Sequence, residues 1–324
     1  MPVYFSNGEC RMFIRLLVFL TLLVAGGCSG DGDTRTVDFS RTVAVAREAI
    51  DPSAEPPLRV AVAAMVSPRE TFVHYREILD YIGTKLGKEV HLVQRKTYSE
   101  INDLLGKGEI DLAFICSGPY AADKKEQGFE LLAAPEVHGS HFYRGYLIVN
   151  EKSPFRRLED LRGKSFAFTD PDSNTGRLVP VYWLAQMHEW PETFFSHTMY
   201  TYSHDNSILA VAKGMVDGAS VDGLVWDYYH AREPSLTSKT RIIRKSDQYG
   251  IPPLVVSKHV SPELKERIGN LFFSMNEDEA GARILGHLMI DRFVKPEDVW
   301  YEGIRQMFSG LEQATGQIHE FPKP

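Results

Sequence analysis

The sequence predicts an α/β protein made of two similar halves, and three observations support this. Apolar runs of strand length alternate with helical segments through most of the chain, the rhythm of βαβ units with parallel strands. A length of 324 residues sets a prior of about two domains. The chain also echoes itself: Tyr98 to Ala113 resembles His204 to Ala219 at a constant offset of 106 positions. Each copy reads helix, Lys-Gly, one residue, an aliphatic residue, Asp and strand, as Lys107-Gly108-Glu109-Ile110-Asp111 and Lys213-Gly214-Met215-Val216-Asp217.

The chain opens with a targeting signal. Arg11 and Arg15 precede the apolar run Leu16 to Ala25. That run falls short of the ~20 residues a membrane-spanning helix needs, and it suits a signal-peptide core. Ala25, Gly26 and Gly27 then lead to Cys28, an arrangement that resembles a bacterial lipobox. The resemblance implies that Cys28 is lipidated and becomes the first mature residue. A plain secretory cut nearby is the alternative, and Met12 rivals Met1 as the start. Residues 29–57 are polar, with Gly30, Gly32, Pro52, Pro56 and Pro57, and are expected to form a flexible tether.

The fold is expected to begin with the apolar strand Leu58 to Ala63. A helical pattern follows around Phe72 to Leu86, then a strand from Glu89 to Val93, a helix from Tyr98 to Lys107 and a strand from Asp111 to Ile115. Farther on, strands are expected at Gly145 to Asn150, Ser165 to Thr169, His197 to Tyr202 and Gly218 to Val221. Helices are expected at Gly176 to Met187, Ser207 to Lys213 and Leu224 to His230. Strands at Arg241 to Arg244 and Leu254 to Ser257 precede helices from Pro262 to Met275 and across 278–316.

Composition narrows the function. Apolar residues make up 43% and charged residues 24%, ordinary for a globular protein. A net charge of −7 argues against nucleic-acid binding, which favours a basic face. It leaves anion binding open, because a few N–H groups and hydroxyls suffice for that. The three cysteines are Cys10, Cys28 and Cys116. With Cys10 removed in the leader and Cys28 lipidated, Cys116 has no partner for an intrachain disulfide or a cysteine zinc site.

The strongest local motif runs from Phe166 to Pro180: strand, then Asp170-Pro171-Asp172-Ser173-Asn174-Thr175-Gly176, then a helix start. Ser173, Asn174 and Thr175 are all N-cap residue types. A helix start leaves N–H groups without intrahelical partners, and the helix dipole adds partial positive charge there. The motif therefore reads equally as simple capping or as a cradle for a tetrahedral oxyanion. Pro180 lacks an N–H, so the helix is expected to start late or to kink.

This Asp-Pro-x-Ser-x-Thr-Gly-x-x-x-Pro pattern resembles the ligand loop of the phosphonate/phosphite/phosphate (PhnD-like) substrate-binding family of ABC transporters. The likeness spans about residues 58–300. It takes in Gly108-x-Ile110-Asp111-Leu112-Ala113 before Ser117-Gly118-Pro119-Tyr120, His204 at a helix start, and Gly214-x-Val216-Asp217-x-Ala219 before Asp222. The resemblance implies a type II periplasmic-binding-protein fold with the ligand in the cleft between two lobes. It implies that Tyr120 covers the ligand and donates its hydroxyl. Ser173, Asn174, Thr175 and Gly176 would grip the anion, with Asn174 standing where relatives carry Thr. His204 would bond the anion, its charge open to the bound ligand. Asp222 would accept a proton-bearing ligand oxygen or an amine, and Ser117 would add a hydroxyl. By pseudo-symmetry Cys116 falls opposite Asp222 and is expected to be a buried wall residue.

The expected domains are a signal peptide over 1–28, a tether over 29–57, one lobe from 58–145 with 245–324, and a second from 146–244. Crossovers near Tyr146 and Arg244 would form the hinge. The expected function is an exported, membrane-anchored, monomeric lipoprotein of the periplasm or cell envelope. It captures a phosphorus oxyanion for an ABC permease and ATPase, without cofactor or metal. A sensor role beside a membrane kinase, or another small anion, stands as the alternative. No Gly-x-Ser-x-Gly, P-loop or His-Glu-x-x-His motif points to catalysis. His138 and His141 read as a solvated loop.

Overall fold

The computed structural model describes residues 56–315. The leader, Cys28 and the tether up to residue 55 lie outside these residues. Thirteen described strands are labelled in chain order. They are β1 Leu58–Val62, β2 Val90–Val93, β3 Leu112–Phe114, β4 Phe129–Glu136, β5 Phe142–Tyr143, β6 Gly145–Asn150, β7 Ser165–Phe168, β8 His197–Tyr200, β9 Gly218–Asp222, β10 Thr240–Lys245, β11 Tyr249–Gly250, β12 Leu254–Ser257 and β13 Arg292–Val294.

They form two main sheets. The first has the order β13-β4-β12-β3-β1-β2 and the second β10-β6-β9-β7-β8. Each contains three parallel strands, β2-β1-β3 and β8-β7-β9. These are the parallel units that the βαβ rhythm predicts, and each sheet adds antiparallel strands beside them. β12 runs antiparallel to β3 and β4, and β6 runs antiparallel to β9 and β10. Each of these two strands belongs to a segment that enters its sheet from the other one, so it arrives in the reverse sense.

Strand alternation places the core. Leu58, Val60 and Val62 of β1 pack with Ile78, Ile82 and Phe272 on one face, while Ala61 packs with Ile101 and Leu105 on the other. In β7, Phe166 and Phe168 join one cluster and Ala167 another. The helices flank these faces: Pro68–Leu86 and Tyr98–Gly106 by the first sheet, His204–Ala212 by the second.

The repeat holds in atomic detail. The backbone N–H of Arg59 donates to Asp111 Oδ2 at 2.7 Å, and that of Ser165 donates to Asp217 Oδ2 at 2.9 Å. Gly108 and Gly214 both take positive φ, 73° and 69°, in the turn that closes each helix. Tyr98 and His204 each begin a helix, after the N-caps Thr97 and Ser203.

Several elements depart from expectation. β4 is new; its sequence does not alternate and contains Pro135, which normally argues against an interior strand. A helix at Ser117–Gln127 was also not read from the sequence. The helices expected across 278–316 are Glu279–His287 and Glu302–Thr315; between them stand Met289 at φ 58°, β13 and a 3-10 turn, which are not among the elements expected from the sequence. The chain passes twice between the sheets, at Tyr143–Gly145 and Lys245–Tyr249. There β5 pairs with β11, and Gly145 N–H donates to Ser246 Oγ at 2.8 Å.

Candidate functional site

The site lies at the C-terminal ends of β3, β7 and β9, the edge where open α/β sheets bind ligands. After β7 the chain makes the Asp170–Ser173 turn and one π turn, Asn174–Leu178, before the α-helix Val179–Gln186. Pro180 explains the sequence of turns. It offers no N–H to Gly176 O, and that carbonyl instead accepts from Thr169 N–H at 3.3 Å.

This loop divides its duties. Ser173 Oγ accepts from Gly176 N–H at 3.0 Å, so these two residues cap the helix. A side chain at 176 would put its Cβ 2.5 Å from Thr169, so the position requires glycine. Gly176 is expected among the residues that grip the anion; its N–H is instead taken by Ser173 Oγ. Asn174 and Thr175 are fully buried, and Asn174 Oδ1 and Thr175 Oγ1 have no hydrogen-bond partner.

Asn174 Nδ2 lies 3.1 Å from Tyr143 OH, which lies 2.6 Å from Ser117 Oγ. Turning the amide over lets Oδ1 accept from Tyr143 and frees Nδ2 as a donor, the sense an anion needs. Gly118 presses against the same loop: a Cβ there would come within 2.6 Å of Asp172 O. The helix start at Ser117 thus abuts the Asn174 loop across the two sheets.

Tyr120 is not part of this cluster, against expectation. Its ring packs edge-on against Tyr301 with centroids 4.5 Å apart, and its hydroxyl donates to Asp298 Oδ1 at 2.6 Å. Arg305 holds that carboxylate at 2.7 Å. The aromatic residues near the loop are Tyr143 and Tyr98 instead. Tyr98 OH is buried without a hydrogen-bond partner, and burial holds both phenols well above their usual range.

His204 is fixed in one state. The backbone N–H of Asp222 donates to its Nδ1 at 3.0 Å, and a backbone N–H can only donate. Nδ1 is therefore unprotonated, and the ring's proton sits on Nε2. Thr169 Oγ1 approaches Nδ1 at 3.0 Å as well. Burial pushes the imidazole down to about 3. His204 is thus a neutral Nε2–H donor, which corrects the expectation that its charge responds to the ligand. Ser203 Oγ beside it is buried and has no hydrogen-bond partner.

Asp222 caps the helix Gly223–Arg232, its Oδ1 accepting from Leu224 N–H at 2.7 Å. Burial pushes its carboxyl up to about 7, against the smaller pull of the N–H groups of Leu224 and Val225. Cys116 is buried, and burial raises its thiol to about 12, so it is an uncharged wall residue. The cluster is therefore a set of neutral donors, with two buried carboxyls beside it, Asp222 and Asp170, both raised by burial to about 7.

Sequence reasoning missed Tyr98 and Tyr143. The repeat carried the signal for Tyr98, because the 106-position offset makes it the counterpart of His204. Nothing local marks Tyr143, which joins the cluster only because the chain crosses between the sheets there.

Two mixed sheets with a polar cluster at their facing strand ends define a type II periplasmic-binding-protein fold. The family described as "ABC transporter, phosphonate, periplasmic substrate-binding protein" matches residues 60–301, and the chain belongs to it. The phosphonates-binding periplasmic protein of Escherichia coli is 26% identical over 260 residues, covering 78% of this chain and 76% of that protein. A binding protein component of an ABC phosphonate transporter from Pseudomonas aeruginosa superposes with a TM-score of 0.76 at 23% identity, over 80% of this chain and 88% of that one. PhnD1 from Prochlorococcus marinus, solved with methylphosphonate, gives a TM-score of 0.71 at 18% identity, over 79% and 98% of the two chains. Membership makes the chain a periplasmic substrate-binding component that serves a permease and an ATPase.

Proposed function

We propose that this protein captures a phosphorus oxyanion, a phosphonate, phosphite or phosphate, for ABC-transporter uptake. One observation carries the reading: buried polar atoms of Thr175, Tyr98, Asn174 and Ser203 lack hydrogen-bond partners, around a histidine fixed as a neutral donor. An unpaired buried polar group costs about 1–3 kcal/mol, so several in one place call for a ligand. Asn174, Thr175, His204 and Tyr98 supply donors to the anion. Asp222, when protonated, donates to one ligand oxygen and disfavours full deprotonation of the ligand. Ser173 and Gly176 shape the loop.

On this reading residues 58–145 with 245–324 form one lobe and 146–244 the other, with the paired crossovers as the hinge. Ligand contacts from both lobes favour closure, and the closed form is what the permease recognises. Lipidation of Cys28 holds a monomer near the transporter through the tether at 29–57.

The test is thermal unfolding of the protein lacking residues 1–28 against phosphite, phosphate, methylphosphonate, 2-aminoethylphosphonate, sulfate and acetate. A ligand at a hundred times its Kd adds ~2.7 kcal/mol. For a domain of this size that is a shift of roughly 5–10 °C. Thr175→Val is expected to reduce it, and His204→Ala to abolish it. A ligand-free sample that shifts with sulfate or acetate alone removes the phosphorus assignment.

A further inference from the structure

A cavity adjoins the polar cluster, and its chemistry is different. It holds about 150 Å³ between the sheets. Phe114, Ile251 and Phe293 line it from the first sheet's side, and Leu224 and Val225 from the second. Asp222 is the single charged residue of its wall among the described residues. Two residues of its wall bond directly to His204 of the proposed anion site. Asp222 lines the cavity and donates its N–H to His204 Nδ1. Met65 also lines it and accepts the backbone N–H of His204 at 2.9 Å.

We propose that the ligand carries an apolar, ring-sized substituent on its anionic head, as in an arylphosphonate or a short branched alkylphosphonate, and that this cavity receives it. The inference rests on the anion reading above and names the substrate class of the same site. An apolar cavity of about 150 Å³ is the size that takes up a benzene ring. An ammonium arm fits poorly. It brings three N–H donors, and burying them unpaired is costly. Among the described residues of the wall its acceptors are Asp222, with one oxygen already accepting from Leu224, and the hydroxyls of Tyr75, Tyr228 and Tyr229; the rest is apolar and offers an ammonium nothing, whereas it matches an apolar group throughout. A bare phosphate or phosphite would leave the cavity lining without contacts.

The test is calorimetric titration of the protein lacking residues 1–28. The ligands are phosphite, methylphosphonate, 2-aminoethylphosphonate, butylphosphonate and phenylphosphonate. Burying ~100 Å² of ring surface corresponds to a gain on the order of 50-fold. Phenylphosphonate is therefore expected to bind at least ten-fold more tightly than methylphosphonate and 2-aminoethylphosphonate. Val225→Phe, which narrows the cavity, is expected to cut the ratio of phenylphosphonate to phosphite affinity at least ten-fold, in a variant shown to fold by circular dichroism. Equal or tighter binding of 2-aminoethylphosphonate or phosphite overturns the proposal. If no phosphorus compound binds, the anion reading has failed. Benzenesulfonate against methanesulfonate then decides the cavity's role separately: tighter benzenesulfonate binding upholds the apolar substituent, and equal or absent binding of both overturns it.

Discussion

Asp222 carries two demands in one carboxyl group. It must cap a helix, and it must sit buried beside a neutral histidine. Burial raises its ionisation to about 7, so the charged form is penalised only in the folded state. The sign follows from linkage. Below the unfolded carboxyl range, near 3.8, folded and unfolded chains are both protonated and no penalty exists. As pH rises toward 7 the unfolded chain releases its proton first, and stability falls until the folded group ionises as well. Each pKa unit is worth roughly 1.4 kcal/mol. Asp222→Asn keeps the acceptor for Leu224 N–H and removes the charge. Its melting temperature is expected to match the parent near pH 4 and to exceed it at pH 8, read by calorimetry at both values. On the proposed anion reading, affinity also declines above pH 7 in the parent, and Asp222→Asn flattens that decline; a variant that keeps the parent's slope would show another group responsible. The sequence announced Asp222, His204, Asn174 and Thr175 because each sits beside a strand end or a helix start. It misassigned Tyr120 because residues on a short helix differ in which neighbours they reach, and Asp298 and Tyr301, which draw this side chain away, come from a segment about 180 positions later.

The Asn174 loop works because local geometry and packing agree on a single conformation. The π turn presents Asn174 and Thr175, Ser173 and Gly176 lock the turn, and Thr169 closes against residue 176. Gly176→Ala forces a Cβ to within 2.5 Å of Thr169. Overpacking of this kind costs about 1–3 kcal/mol. Its melting temperature is expected to fall by roughly 2–12 °C, and an unchanged midpoint would mean that the loop relaxes freely. The paired elements of the repeat were legible at this scale, since Lys-Gly-x-aliphatic-Asp encodes a helix stop followed by a carboxylate that holds the neighbouring strand. Asp111 and Asp217 both do this. β4 was not legible, because its pairing with β12 and β13 rather than its own pattern makes it a strand. The antiparallel sense of β6 and β12 was hidden for the same reason: it is set by where the chain crosses over, and composition does not record that.

The sheets are joined by more than the two crossovers. Ser67 N–H donates to Asp205 Oδ1 at 2.8 Å, Tyr98 N–H to Asp170 Oδ2 at 3.2 Å, and Arg232 to Gly286 O at 2.8 Å. Each joins an element of the first sheet's half to one of the second's. Hydrogen bonds of this kind contribute about 1 kcal/mol each. On the two-lobe reading, they set the fraction of molecules closed before ligand arrives. Apparent affinity scales with that fraction. Asp205→Ala removes one such bond at a residue that supplies no proposed ligand contact, next to His204 on the same helix start. It is expected to weaken every ligand by a similar factor, roughly two- to ten-fold, and to leave their order unchanged. Thr175→Val, which removes a proposed ligand contact, is expected to change affinity by unequal factors across ligands. Titration of the two variants with the same phosphonate series separates closure from recognition. A reordering of ligands by Asp205→Ala would place Asp205 in recognition itself. A larger ligand-free radius of gyration for that variant in solution scattering would tie the loss of affinity to opening.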